Sequence, residues 1–372
     1  MTTTTYDDEA ELLRYSGNPL QLLPQVVRKY RKSGFRIAKE IWDLGLGPGR
    51  LTPADYFLFQ LYDDKRYSVQ EKKRFISDRQ HWKIASRCSD HAWEGLTEDK
   101  WIIYNLLQHN GFRAPRTLAV IDQSIRSFGC DQKITSPAML RDFLRGLNSF
   151  PVFGKANSGI GSFGAFVIAG VDGDHVLLEQ AEPMTFERLF EKVIGTRTFL
   201  LQAFIQNHPA IRELSKYVAT VRAINFVKSN EVSTPFMLLK IPAATSIADN
   251  YWRPGNLLAD LDPMTGVIRR VVRGKGLELE ELSKHPETGA PLLGLALPHW
   301  SELRAVNDAC ARLFSAMRYH SFDIALTVEG PLVVEVNIGG NFELPQLATG
   351  SGLLTDEVRA FFESCGCKFK RR

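Results

Sequence analysis

A chain of 372 residues exceeds one ordinary domain and predicts two or three compact units. Its 44% hydrophobic and 24% charged residues suit a globular protein that buries its own core, and a net charge of +4 is too small to mark a nucleic-acid binder. The five cysteines form no C-x-x-C pair, which speaks against a disulfide framework or a zinc site and predicts a reducing, cytoplasmic setting.

The opening "MTTTTYDDEAELL" has acids where a signal peptide has basic residues. No apolar run nears the ~20 residues of a membrane span. Residues 1–5 read as a frayed tail. From about residue 8 to 45 the apolar spacing is helical, with Leu22, Val26, Tyr30, Phe35, Ile37 and Ile41 suggesting one buried face. The other face carries Arg28, Lys29, Arg31, Lys32, Arg36 and Lys39. It reads as a solvated face, with peripheral contact to an anionic membrane or partner as the alternative. "GLGPGRLTPADYF" breaks the pattern, and a new helix starts with Thr52 as N-cap and Pro53 in its first turn. Residues 53–95 read as further helices, and "LTEDKWIIYNLLQHNGF" as another, capped near Thr97 and stopped near Gly111.

After Gly111 the pattern changes to short strands: "TLAVI", "PVFGKA", "GAFVIAG", "HVLLEQ", "TFLLQAFI", "KYVATVRAINFV", "PFMLLKIP" and "GVIRRVVRG". Helices are expected at 138–147, 186–195 and 299–318. Two final strands, "FDIALTV" and "LVVEVN", precede a basic ending, "KFKRR". The order is mixed α+β with many hairpins rather than strict βαβ alternation.

The stretch "VFGKANSGIGSFGAFVI" holds a G-x-G-x-x-G, but a dinucleotide-binding turn must open a helix. The residues after its last glycine are β-branched and aromatic, so they form a strand. Lys155 precedes the glycines, whereas a phosphate-binding P-loop places its lysine after them. The companion motifs of a protein kinase are absent. What remains is a hairpin in which Gly159, Gly161 and Gly164 let backbone N–H groups approach phosphate, with Ser158 and Ser162 as hydroxyl donors and Lys155 as a charge. A flexible surface hairpin is the other reading of the loop alone.

The second constellation is "SFDIALTVEGPLVVEVN". A three-residue loop at Val328–Gly330 pairs Thr327 with Pro331, Ala325 with Val333 and Asp323 with Glu335, whose Cβ atoms then lie ~5 Å apart. Asn337 points the same way. Two facing carboxylates repel, and magnesium, which takes carboxylates together with phosphate oxygens, offsets that. A polar outer face paired with Lys or Arg is the alternative.

Lysine, glycine hairpin and Asp…Glu-x-Asn hairpin together resemble the ATP-grasp superfamily over about residues 95–352. "RELSKYVATVRAINFV", "DNYWRPGNLLADLDPMTGVI", "HPETGAPLLGLALPHWSE" and "EVNIGGNFELPQLATGSG" are similar to its sugar-transfer-associated branch. The resemblance implies two α+β subdomains sandwiching ATP, at 96–205 and 206–360, behind a helical region at 1–95 and before a basic tail at 361–372. It implies that Lys100, Lys155 and the glycine loop meet ATP phosphates. Gln202, Ala203 and Phe204 would meet adenine, and Arg222 would steady the transferring phosphate. Asp323, Glu335 and Asn337 would hold Mg²⁺, with Mn²⁺ as a substitute. Lys240 and Asn250 are weaker carry-overs, and His208 and His285 belong to the branch pattern as loop caps.

The expectation is an ATP-dependent carboxylate–amine ligase working through an acyl phosphate. Its substrates would be small molecules of surface-polysaccharide or related biosynthesis. "RRVVRGK" (Arg269, Arg270, Arg273, Lys275) is expected either to hold an anionic acceptor or to be a solvated strand. Two alternatives stand beside this: an ATP-grasp kinase of a hydroxyl, and a nucleotide-binding accessory protein of a polysaccharide assembly. The sequence leaves the oligomeric state open.

Overall fold

The computed structural model describes residues 18–129, 131–159 and 164–369. The tail expected at 1–5 and the last residues of the basic ending lie outside these. Among the described residues seven α-helices precede the sheets: α1 (Pro19–Tyr30), α2 (Gly34–Leu46), α3 (Pro53–Leu58), α4 (Val69–Lys72), α5 (His81–Cys88), α6 (His91–Thr97) and α7 (Lys100–His109). The single helical stretch expected at 8–45 is broken, within the described residues, at Arg31–Ser33. Arg31 closes α1 in the left-handed conformation (φ 52°), and the Ser33 side chain accepts from the Arg36 N–H to start α2. The break shifts the helical phase. Val26 and Ile37 are fully buried, but Phe35 is 83% exposed rather than on the apolar face. Lys32 leaves the solvated basic face as well. It is buried between Glu40 (2.7 Å) and Asp64 (2.8 Å), a network that Lys72 completes at 3.1 Å from Glu40. At α3 the N-cap Thr52 and Pro53 at the first position are as expected, and Asp55 completes a capping box in which Thr52 and Asp55 satisfy each other's backbone.

The strands form two seven-stranded sheets. The first holds β1 (Thr117–Ile121), β2 (Lys133–Ile134), β3 (Val152–Ala156), β4 (Phe166–Asp172), β5 (His175–Leu178), β6 (Met184–Thr185) and β7 (Phe199–Ala203), in the order β2-β1-β7-β3-β4-β5-β6. α8 (Pro137–Arg145) and α9 (Phe186–Leu189) pack on it, and Leu140, Leu144, Phe186 and Leu189 share its core. The second holds β8 (Thr220–Lys228), β9 (Glu231–Ile241), β10 (Leu257–Leu261), β11 (Ile268–Arg273), β12 (Glu280–Glu281), β13 (Tyr319–Thr327) and β14 (Gly330–Ile338), in the order β12-β11-β10-β9-β8-β13-β14. α10 (Pro209–Arg212), α11 (Trp300–Leu313), α12 (Glu343–Thr349) and α13 (Asp356–Ser364) complete the chain. Apart from β1–β2, neighbouring strands run antiparallel.

The helical segment is not a separate body. Val26, Tyr56, Phe75 and Tyr104 belong to one apolar core with Leu238, Phe322 and Phe362 of the second half. The seam is polar as well as apolar. The buried Gln346 side chain donates to the Ile76 carbonyl (2.9 Å) and accepts from the Ile76 N–H (2.8 Å). Asp78 accepts from Phe342 N–H, and His81 Nε2 from Asn341 N–H. No helix among the described residues is long and apolar enough to cross a membrane.

Candidate nucleotide site

Strand alternation brings β3, β7, β8, β13 and β14 to one cleft. A cavity of about 450 Å³ lies between the sheets, lined from the first by Phe153, Lys155 and Gln202 and from the second by Thr220, Asp323 and Glu335. Ser158, Gly159, Ala203, Phe204 and Lys100 line it too. Gly154 is required here for close packing, since a Cβ would lie 2.3 Å from the Phe166 ring.

Lys155 has no carboxylate in ion-pair range among the described residues. Its ammonium lies 5.2 Å from the centre of the Tyr104 ring. Burial pushes its pKa below the ordinary lysine value, and the more distant Glu335, Asp249 and Asp323 only partly offset this. Lys100 starts α7, donates to the Gly159 carbonyl at 2.8 Å and lies 3.5 Å from Glu335. The Asn157 side chain accepts from Trp101 N–H at 2.8 Å, so the base of the glycine hairpin is fastened to α7.

The opposite wall is a buried charge network. Asp323 faces Arg222 across the β13–β8 ladder and takes both arms of its guanidinium, at 2.9 and 2.7 Å. Lys240 adds a second cation at 3.0 Å and also pairs with Asp249 at 2.9 Å. Burial alone would raise the Asp323 pKa, but Arg222 and Lys240 outweigh it and hold the carboxyl far below its usual range.

Asp323 and Glu335 do face each other, by a different route from the one expected. The turn is one residue shorter, because Thr327 pairs with Gly330 and Ile324 with Val333. A β-bulge then makes Val334 the extra residue and restores Asp323 opposite Glu335. The Tyr104 hydroxyl donates to the Val334 carbonyl at 2.9 Å, so one tyrosine both holds the bulge and carries Lys155 on its ring.

A second cavity of about 750 Å³ adjoins the first, and Lys100, Gly159, Asp249 and Glu335 border both. Arg222, Lys240, Asn250 and Asn337 line it. Asn337 Nδ2 and Ser321 Oγ are buried at its edge without hydrogen-bond partners. Among the described residues no three His, Cys, Asp or Glu cluster as a metal centre. Glu335, Asn337 and Asp323 are nevertheless oxygen donors of the kind a hard cation takes. The fit is closest for Glu335 and Asn337, because Asp323 is already bound to two cations.

Gly164 borders neither cavity and lies beside the Arg197 guanidinium. Gly161 and Ser162 fall outside the described residues. His208 accepts from Ala210 N–H to cap α10, and His285 accepts from Glu287 and Thr288 N–H, so both are loop caps. The arginines of "RRVVRGK" are committed elsewhere. Arg269 pairs with Asp260, Arg270 with Glu281 and Arg273 with Glu280, which removes them as holders of an acceptor. Sequence reasoning misses Asp249, Tyr104 and Arg197. Only Asp249 leaves a trace, as the neighbour of Asn250 in "ADN".

Two antiparallel-rich sheets around a cleft, with a half-buried lysine on one side and an Arg/Lys/Asp/Glu network on the other, define a protein of the ATP-grasp class. The chain matches the family described as "Sugar-transfer associated ATP-grasp" over residues 83–360, and it belongs to that family. No curated protein matches it. Solved structures similar to it include D-alanine–D-alanine ligase from Helicobacter pylori, at 12% identity and TM-score 0.39 over 73% of this chain and 60% of that one. D-alanyl-alanine synthetase A from Vibrio cholerae is similar at 12% identity and TM-score 0.41, over 72% of this chain and 65% of the other. The chain thus spans less than two thirds of the length of either enzyme.

Proposed function

We propose that the protein is an ATP- and Mg²⁺-dependent ligase that joins a small-molecule carboxylate to an amine through an acyl phosphate, in surface-polysaccharide or related biosynthesis in the cytoplasm. The observation that carries this reading is Lys155, half-buried in the cleft and without an acid partner among the described residues, across from Arg222 and Lys240. A cation drawn partly out of water without a partner is costly unless a ligand supplies the counter-charge, and nucleotide phosphate does so.

Adenine would lie against the β7 end, where Gln202, Ala203 and Phe204 line the smaller cavity. The phosphates would then run toward Lys155, Lys100 and the glycine hairpin. The substrate carboxylate attacks the γ-phosphorus, the bond to the β–γ bridging oxygen breaks, and ADP leaves. Arg222 and Lys155 offset charge on the transferring group, which is most of what this step asks of a protein. Mg²⁺ held by Glu335 and Asn337, with Asp323 beside them, would supply further charge neutralisation on the phosphates. The glycine-rich loop, whose Ser158 and Gly159 line the smaller cavity, would exclude water from the acyl phosphate.

A screen of ADP release with Mg²⁺ over amino acids, uronic acids and amines tests the reading. Substrate-dependent release is expected in the wild type and its loss in Lys155→Ala and Glu335→Ala. Equal release by all three proteins with every substrate would sink the assignment.

A further inference from the structure

Arg222 and Lys240 line the larger cavity, which meets the smaller one at one end, where Lys100, Asp249 and Glu335 border both. It is also walled by helical residues that precede the family match at residue 83: Asp55, Asp78, Arg79 and Trp82. Glu98 adds a third carboxylate, so Arg79 is outnumbered. Asp55 is only 6% exposed. One of its oxygens accepts from the Thr52 backbone (2.7 Å) and hydroxyl (2.8 Å), and the other has no protein partner among the described residues. Asp78 likewise commits one oxygen to Phe342 N–H at 2.8 Å, and its other oxygen has no protein partner among the described residues. Trp82 is 56% exposed although it lines the cavity.

A separate observation marks this space as a ligand site. Ser321 is fully buried, yet its Oγ has no partner and borders the cavity, as does Asn337 Nδ2. Buried polar groups are rarely left unpaired, and a polar ligand would supply what they lack. Carboxylate oxygens and an indole lining one cavity are a recognition set for an ammonium ion. Arg222, Lys240 and Lys100 suit the acyl phosphate and its parent carboxylate.

We propose that the helical wall binds the attacking amine as its ammonium ion, so that Asp78 and Trp82, with Asp55 behind them, select the amine substrate. This rests on the ligase reading. One wall carboxylate takes a proton from the ammonium, and the freed nitrogen lone pair forms the C–N bond. The bond between carbonyl carbon and phosphate oxygen breaks with its electrons going to phosphate. The second nitrogen-bound proton leaves with that phosphate.

Hydroxylamine separates the two half-reactions. It is small and uncharged at neutral pH, so it intercepts acyl phosphate without an ammonium site. Wild type and an Asp78→Asn/Trp82→Ala double variant are assayed with ATP, Mg²⁺ and a panel of amino acids and uronic acids. The nucleophile is either hydroxylamine or a panel of primary amines. Asp55 is spared because it caps α3. The double variant is expected to keep hydroxamate formation within about twofold while losing about tenfold or more in kcat/KM for the amine. Arg79→Ala, which removes the wall's own cation, is expected to lower the amine KM. Equal loss of hydroxamate and amide, or an amine KM that Arg79→Ala leaves unchanged or raises, overturns the proposal. Absence of hydroxamate from the wild type with every carboxylate instead overturns the ligase reading, and this proposal with it.

Discussion

Two bases, one half-buried and one fully buried, carry much of the chemistry that single residues can reveal. Lys155 rests on a tyrosine ring in place of an acid. Lys155→Ala is expected to weaken ATP binding about 10- to 100-fold by calorimetry, the scale of a lost charge-assisted contact, while thermal stability holds or rises. His320 is the contrasting case. It is fully buried, its Nδ1–H donates to the Met317 carbonyl, and its Nε2 has no partner. A second proton would have no acceptor, and burial lowers its pKa from 6.5 to about 4. The unfolded chain therefore binds a proton that the folded one refuses. Stability is complete above the unfolded value and falls as the pH drops from 6.5 toward 4, by about 3 kcal/mol at the lower limit. Thermal melts across that range are expected to show the loss, and His320→Asn to flatten part of it. His81 and His285, whose pKa values are also lowered, account for the remainder.

Among the elements, the β13–β14 hairpin shows what pattern reading reaches and where it stops. Alternation along "FDIALTV" and "LVVEVN" puts Asp323 opposite Glu335, and they are opposite. The bulge at Val334 is invisible in the pattern because it depends on Tyr104, whose hydroxyl meets it from a helix 230 positions away. Tyr104→Phe keeps the ring under Lys155 but frees the Val334 carbonyl. The expected cost is ~1 kcal/mol in denaturant unfolding, with ADP release falling more than ATP affinity. β10 escapes pattern reading for a related reason. "LLADL" is short and apolar with no alternation, the signature of a central strand buried on both faces. Lys32 is misplaced by periodicity because periodicity assigns faces along one unbroken helix, and the chain turns at Arg31.

For the molecule as a whole, the α+β architecture, the lysine side of the cleft and the carboxylate hairpin are legible in the sequence. The larger cavity is not, because its walls draw on residues from Thr52 to Leu344, with segments such as 77–82 and 337–344 that only the folded chain brings together. The helical segment also shares the apolar core of the second sheet. A chain trimmed to begin at residue 83, where the family match starts, would strip Gln346 of its two bonds to Ile76 and leave the backbone N–H groups of Asn341 and Phe342 without their partners. It is expected to be recovered aggregated or molten, with native-like far-ultraviolet but weakened near-ultraviolet circular dichroism.

The bulge at Val334 has a further effect on how such proteins can be found in genomes. A short turn with an extra residue in the strand, and a longer turn without one, bring the same two carboxylates face to face at the same interval along the chain. A search string that fixes the interval cannot tell the two hairpins apart. One that demands an uninterrupted alternating strand discards this chain's geometry altogether. Relatives in which turn and strand have each gained or lost a residue would look like alignment errors, yet they would hold the pair just as well.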